Sequence, residues 1–274
     1  MLSFGSAVAG PSFVPNDEGR DWIAEGIVDL APKLGEAATK PRLLTDPATF
    51  GFGGPSSPKD LDGLFDMICT IQEFVGQRDV ELTMMELDER APAPDLSANF
   101  QSMGDSKGKL LHTLRGDGEY LVIFTPTVFK VRELMLAGIA RELGRVALDQ
   151  VGLGPDPEGG HEALREWEAD SELAGIMLGM GIWVANGAYL FENACCGGGC
   201  GVDLRSVQTG LTMPEACYAL ALDSQRKGIR RRHVVKHLAP TQKAAAKKSW
   251  SHVGSAPPPA LAAAPPTIRG QLSP

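Results

Sequence analysis

SELAGIMLGMGIWVANGAYLFENA, Ser171–Ala194, has to be buried along most of its length. It continues from the polar HEALREWEAD and turns almost wholly apolar. Such a helix lines a site with its first turns and runs through a core with the rest. At 274 residues, 43 % of them apolar, the chain is long enough to supply that core. No uninterrupted apolar run reaches the roughly 20 residues of a membrane span, so the burial is expected inside the protein.

The other segments fall around this helix. DEGRDWIAEGIVDLAPKL (Asp17–Leu34) spaces Ile23, Ile27 and Leu30 as one helical stripe, with Trp22 beside it. Asp60 is placed to cap LDGLFDMICTIQEFVG, whose Leu61, Leu64, Phe65, Ile68, Ile71 and Phe74 predict a buried face. DVELTMMEL alternates as a strand, and KLLHTLRGDGEYLVIFTP reads as two strands around Gly-Asp-Gly. TVFKVRELMLAGIARELGRVALDQVG predicts one long helix ending at Gly152. TMPEACYALALDSQRKG is a helix with Thr212 as N-cap and Pro214 in its first turn. The basic IRRRHVVKHLAPTQKAAAKKSW is helical on both sides of Pro240. Residues 1–15 and the Pro/Ala-rich 251–274 read as disordered, leaving 16–250 as one α+β domain with a small antiparallel sheet on a mostly helical core. The N-terminus has no basic region or apolar segment of the signal-peptide kind, and the five cysteines are an odd number. Both point to reduced thiols and a cytoplasmic protein. The net charge of −8 argues against nucleic acid as the main partner.

Within IARELGRVAL, the stretch RELGR becomes HELGH when His is written at its first and fifth positions. HExxH works because residues four apart share a helix face, so two imidazoles reach one ion while the Glu activates the metal-bound water. Here the two positions hold Arg141 and Arg145, with Glu142 between them. On the following helix Glu168 and Glu172 lie four apart, Glu168 being 23 residues past Arg145. Along the chain TDPATFGF, DLDGLFDMIC, DVELTMMEL, LAGIARELGRVAL, the buried stretch above, LTMPEACYALAL and VVKHLAPTQKAAAKKSW follow in order. In that order, over roughly three-quarters of its length, the chain resembles a poorly characterised bacterial family of gluzincin-like HExxH zinc peptidases. The resemblance implies a zincin-like core and two His ligands where Arg141 and Arg145 stand. It also implies Glu142 as the match to the catalytic Glu, Glu168 as the third ligand and Glu172 as the acid supporting it.

Guanidinium offers no lone pair to a metal and stays protonated in proteins. The expectation is therefore no zinc, and an Arg–Glu ion-pair network of Arg141, Arg145, Glu142, Glu168 and Glu172 in its place. Without the resemblance, RELGR is an amphipathic helix with two solvated arginines. Two other clusters could hold zinc or iron at a relocated site. One is Cys195, Cys196 and Cys200, with Cys217 or a His completing the set; the other is His233 and His237, four apart in a basic run. The bland readings are a Gly-rich turn with idle thiols and a solvated basic helix. His112 and His161 are the remaining imidazoles; His161 precedes Glu168 by seven residues, about 10 Å along a helix, too far to share one ion. The function expected is that of an inactive metallopeptidase-like protein, binding a protein or peptide or serving as structure. The alternatives are a metalloenzyme with a relocated site and an assembly component docking through its tail.

Overall fold

The computed structural model describes residues 13–45, 58–88, 91, 94–105, 109–156, 158–189 and 210–272. Helix α1 (Asp17–Leu34) starts where the Asn16 side chain accepts from Gly19 N, and it buries Ile23, Ala24, Ile27, Leu30 and Ala31. The short α2 (Glu36–Thr39) follows. In α3 (Leu61–Val75), Asp60 accepts from Gly63 N as the N-cap. Its buried face is Leu64, Met67, Ile68, Ile71 and Val75; Phe65 and Phe74 flank this face half-buried.

Strands β1 (Leu82–Glu86), β2 (Gln101–Ser102), β3 (Leu111–Arg115) and β4 (Tyr120–Phe124) form one sheet in the order β1-β4-β3-β2. β3 and β4 are the expected hairpin, Leu111 opposite Phe124 and Arg115 opposite Tyr120, with Gly118 at φ 81 in the turn. β1 pairs with β4 in parallel, so the sheet is mixed where an antiparallel one is expected. The chain crosses from β1 to the far edge at β2 and reverses twice on its way to β4. Alternation along a strand carries no record of that direction.

The predicted long helix divides. A 3₁₀ turn, Pro126–Lys130, is separated from α4 (Arg132–Gln150) by the extended Val131, and Gly152, at φ 76, follows the helix end. The apolar stretch also breaks, into α5 (Gly160–Gly175) and α6 (Gly181–Gly187), across a π-turn at Ile176–Met180 where Gly179 takes φ 100. Carbonyls released by the break find other donors: Gly179 O accepts from Leu44 N at 2.8 Å and Met177 O from the buried Lys227. Helix α7 (Met213–Arg226) opens with the Thr212–Glu215 capping box. Its buried Asp223 pairs with Arg226 and Lys227.

The tail departs from the expectation of disorder. After α8 (Arg231–Val235), α9 (Pro240–Ser255) runs past residue 251 and is followed by α10 (Pro259–Ala263) and α11 (Pro266–Arg269). α10 packs on α1, Leu261 is fully buried, and Gln271 N donates to Arg226 O at 2.8 Å. Two of the prolines that suggest disorder, Pro259 and Pro266, start helices, where a missing N–H costs nothing, and Pro258 and Pro265 stand at the N-caps before them. Phe13 and Val14 likewise pack against the core. The fold is α+β, and no helix of the described residues is long and apolar enough to cross a membrane.

Two glycines let α4 and α5 cross in backbone contact. A Cβ at Gly144 of α4 would lie 2.1 Å from Ser171 O of α5, and one at Gly175 would lie 2.6 Å from Ala140 O. Gly144→Ala is expected to destabilise the protein by about 2–3 kcal/mol in urea titration, because two backbones must part. Gly154→Ala, with open space around it, serves as the near-neutral control. Leu261→Ala is expected to cost about 2–4 kcal/mol; no loss would mean the tail does not hold its place on α1.

Candidate functional site

α4 is buried nearly all round from Gly138 to Leu148, which forces its charged residues inward. Arg145 is fully buried, Glu142 is 2 % exposed and Arg141 6 %. The glycine-lined crossing with α5 brings Glu168 against them, and β3 closes the other side. Arg145 bridges the acids of both helices: Nη1 donates to Glu142 Oε2 at 2.8 Å and Nη2 to Glu168 Oε1 at 2.5 Å. Arg141 Nε donates to Glu142 Oε1 at 2.9 Å and lies 3.4 Å from Glu168 Oε2, while its Nη2 donates to Leu111 O at 3.2 Å. Glu142 Oε2 also accepts from Thr113 N at 3.0 Å and Thr113 Oγ1 at 2.8 Å.

Sequence reasoning missed three members. Lys109, buried, pairs with Glu168 Oε2 at 2.9 Å. Thr113 saturates Glu142. His112, known only as a stray imidazole, sits between Arg145 and Ser102. The available signal was the alternation of β3 next to a helix rich in buried charge, but it does not say which helix the strand faces. Met103 and Gly104 lie over the cluster: Trp167 Nε1 donates to Met103 O at 2.8 Å, and a Cβ at Gly104 would stand 3.0 Å from Glu168 Oε1. Glu172 does not join the arginine pairs directly. Its carboxylate accepts from Gly210 N at 3.1 Å and Leu211 N at 2.8 Å.

The electrostatics follow from burial and pairing. Burial alone would push Glu142 up, but Arg145, Arg141, His112 and the Thr113 hydroxyl hold its carboxyl at about 2. For Glu172 burial prevails over Arg141 and the two backbone donors, and its carboxyl is raised. Burial lowers His112 to about 4; Glu142 and Glu168 pull upward, Arg145 and Arg141 downward. A neutral His112 fixes the proton positions. Arg145 can only donate, so Nδ1 accepts across 3.3 Å, Nε2 carries the hydrogen toward Ser102 Oγ at 2.7 Å, and Ser102 donates to Gly104 O at 2.8 Å. Ser102 therefore gives no proton to His112, and the pair is not an activated nucleophile.

A divalent cation does not fit this site. The two positions that would bear ligands carry guanidiniums already inserted between the acids, and Glu142 has no oxygen free to orient a water. Beside Arg141 a slot of about 20 Å³ is left, room for one water-sized occupant and not for a peptide. Of the relocated sites, Cys195, Cys196 and Cys200 lie outside the described residues, as does the side chain of His161. Cys217 is buried in α7, donates toward Gln242 O at 3.6 Å, and burial pushes its thiol up to about 12, so it offers no ready thiolate. His233 is exposed on α8 and His237 lies beyond the end of that helix, so the two do not share a helical face of ligands. Among the described residues no group of three His, Cys, Asp or Glu is arranged to hold a metal. Comparison of the chain with protein-family models, curated proteins and solved structures yields no match.

The site makes stability pH-dependent with a definite sign. His112 has a folded pKa of about 4, below its ordinary 6.5. Its contribution is fully present above 6.5 and is lost as pH falls toward 4, by at most about 3 kcal/mol. Glu142 acts lower, its contribution being lost from 4.5 toward about 2. Asp170, raised to about 6 chiefly by burial and then by Glu166 and Asp29, works in the opposite sense. The difference between wild type and His112→Gln therefore isolates the imidazole. Urea unfolding at intervals from pH 7 to 4 is expected to show a shallower fall in the variant; parallel curves would refute the assignment.

Proposed function

We propose that this chain is a catalytically inactive, metallopeptidase-like protein with a binding or structural role, in which an Arg–Glu network stands where an HExxH enzyme holds zinc. One observation carries the reading. Arg145, at the position of the second zinc-binding His, lies fully buried between Glu142 and Glu168, at the positions of the catalytic Glu and the third ligand. A dication held by such acids leaves uncompensated negative charge when it goes, and guanidinium is the side chain that replaces it with fixed charge and directed donors. Three cations (Lys109, Arg141, Arg145) then face three acids (Glu142, Glu168, Glu172). Hydrolysis has no support in this arrangement: nothing polarises a carbonyl or lowers the pKa of a water, and the Glu142 carboxylate is already occupied by Thr113 and both arginines. The small volume left beside Arg141 favours a structural role for the network itself, with any binding on another face. A cytoplasmic location belongs to the same proposal, resting on the odd number of cysteines.

The test is to write the ligands back. Wild-type protein purified without a His tag is expected to carry no tightly held zinc, whereas R141H/R145H is expected to take up about one equivalent by metal analysis and calorimetry. Adding Glu168→Gln to that variant should weaken zinc binding at least about 10-fold. A folded double-His variant that ignores zinc, or zinc bound tightly at these residues in the wild type, overturns the reading.

A further inference from the structure

The basic run between Arg226 and Lys248 holds nine Lys/Arg and no acid, in a chain of net charge −8. Arg226 and Lys227 are spent internally on Asp223 and on carbonyls of the core. The next two, Arg230 and Arg231, are exposed and make no ion pair among the described residues. They rim an open hollow of ≈ 440 Å³ between the end of α7, the start of α8 and the last turns of α9. Its lining is mixed: Gln225, Gln271 and the two arginines supply polar surface, and the apolar part is Ile229 and Trp250. Val253 and Leu272 belong to the core, while Ile229 and Trp250 are half-buried against it, so the floor is the rigid margin of the core. Trp250 Nε1 has no hydrogen-bond partner among the described residues, its carbonyl being the group that Gln225 holds. An open recess with an aromatic side chain and two unpaired guanidiniums at its edge has the elements of a binding pocket, and its volume suits one large side chain and its flanks.

We propose that this hollow docks an acidic peptide segment, which inserts one apolar side chain against Trp250 and pairs its flanking carboxylates with Arg230 and Arg231. Charge complementarity selects the partner. Arg232, Lys236 and Lys247, on the same basic stretch and all exposed, add positive charge that attracts an acidic chain over distance. The guanidiniums supply bidentate pairing at the contact, and the aromatic floor supplies the anchor. A nucleic acid fits less well. It would bring many phosphates against a protein of net charge −8, and Trp250 is the sole aromatic residue between Arg226 and the end of the chain. The site is remote in sequence from Arg141 and Arg145 and does not rest on the metallopeptidase-like reading, so either can fail without the other.

The test uses the full chain and a short fluorescein-labelled peptide of Asp and Glu around one central Phe, followed by fluorescence anisotropy at ionic strengths of about 0.05 and 0.15 M. Saturable binding in the micromolar range is expected, weakened at least about 10-fold by R230E/R231E and by Gly in place of the peptide's Phe. It should weaken with salt. Both arginines are exposed, so the variant should keep the wild-type thermal melt; the Phe-to-Gly comparison on wild-type protein decides the matter even if it does not. No binding, binding indifferent to the peptide's Phe or to R230E/R231E in a folded variant, or tighter binding of single-stranded DNA of equal charge would each overturn the proposal.

Discussion

A guanidinium with no exposure to water governs the centre of this molecule. Removing Arg145 from water carries a desolvation penalty of several kcal/mol, and the pair with Glu142 and Glu168 repays it only through close, directed contacts. Those contacts in turn require α4 and α5 to cross with almost no space between them. Gly144 and Gly175 permit that approach, and a side chain at either would force the helices apart. β3 must also lie where Thr113 reaches Glu142 and His112 reaches Arg145. The pairing is not complete, since Arg145 Nε is buried without a hydrogen-bond partner. The network is therefore better understood as a device that specifies one arrangement of helix, helix and strand than as a source of large net stability.

A second buried cluster repeats the logic on a smaller scale. Asp223 holds Arg226 and Lys227 on one turn of α7, and those cations reach outward to Ala38 O and Met177 O. Ala38 belongs to α2, and Met177 to the π-turn that interrupts the α5–α6 stretch. The tail closes over the same place through Gln271 N on Arg226 O. The interruption of the most apolar helix is thus compensated by one charged donor, Lys227 at the end of α7, together with the backbone N–H of Leu44. Such donors are suited to the task because a carbonyl freed inside a core would otherwise go without a partner.

Much of this was legible in the chain, and what was not has identifiable causes. The stripe of α1, the Asp60 and Thr212 caps and the hairpin around Gly118 are local, set by residues within a few positions of one another. Arg141, Glu142, Arg145 and Glu168 were legible as a group only through the resemblance to HExxH peptidases, since spacing alone leaves RELGR a helix with two solvated arginines. Lys109, His112 and Thr113 were not, since nothing in a strand's alternation names the helix it will face. The parallel pairing of β1 was hidden because it depends on how the chain crosses the sheet. The tail misled through composition: Pro and Ala suggest disorder when counted, whereas Pro259 and Pro266 act by position, as helix starts. The break at Gly179 was visible only as a glycine among several.

On the proposed reading, exchanging a metal for guanidinium changes more than charge. A catalytic metal keeps one coordination position open to solvent and substrate, so the protein around it must keep a cleft. Guanidinium has no such position. Its donors are fixed in a plane, its charge does not titrate away, and its stem fills volume. Once Arg141 and Arg145 are inserted, nothing in the site needs access to water, and the surrounding backbone is free to close, as Met103 and Gly104 do over Glu168. What remains beside Arg141 holds one water at most. A site closed in this way leaves recognition to other surfaces, and the open recess at the start of α8, with Trp250 at its floor and two arginines that make no ion pair among the described residues at its rim, has the charge for it.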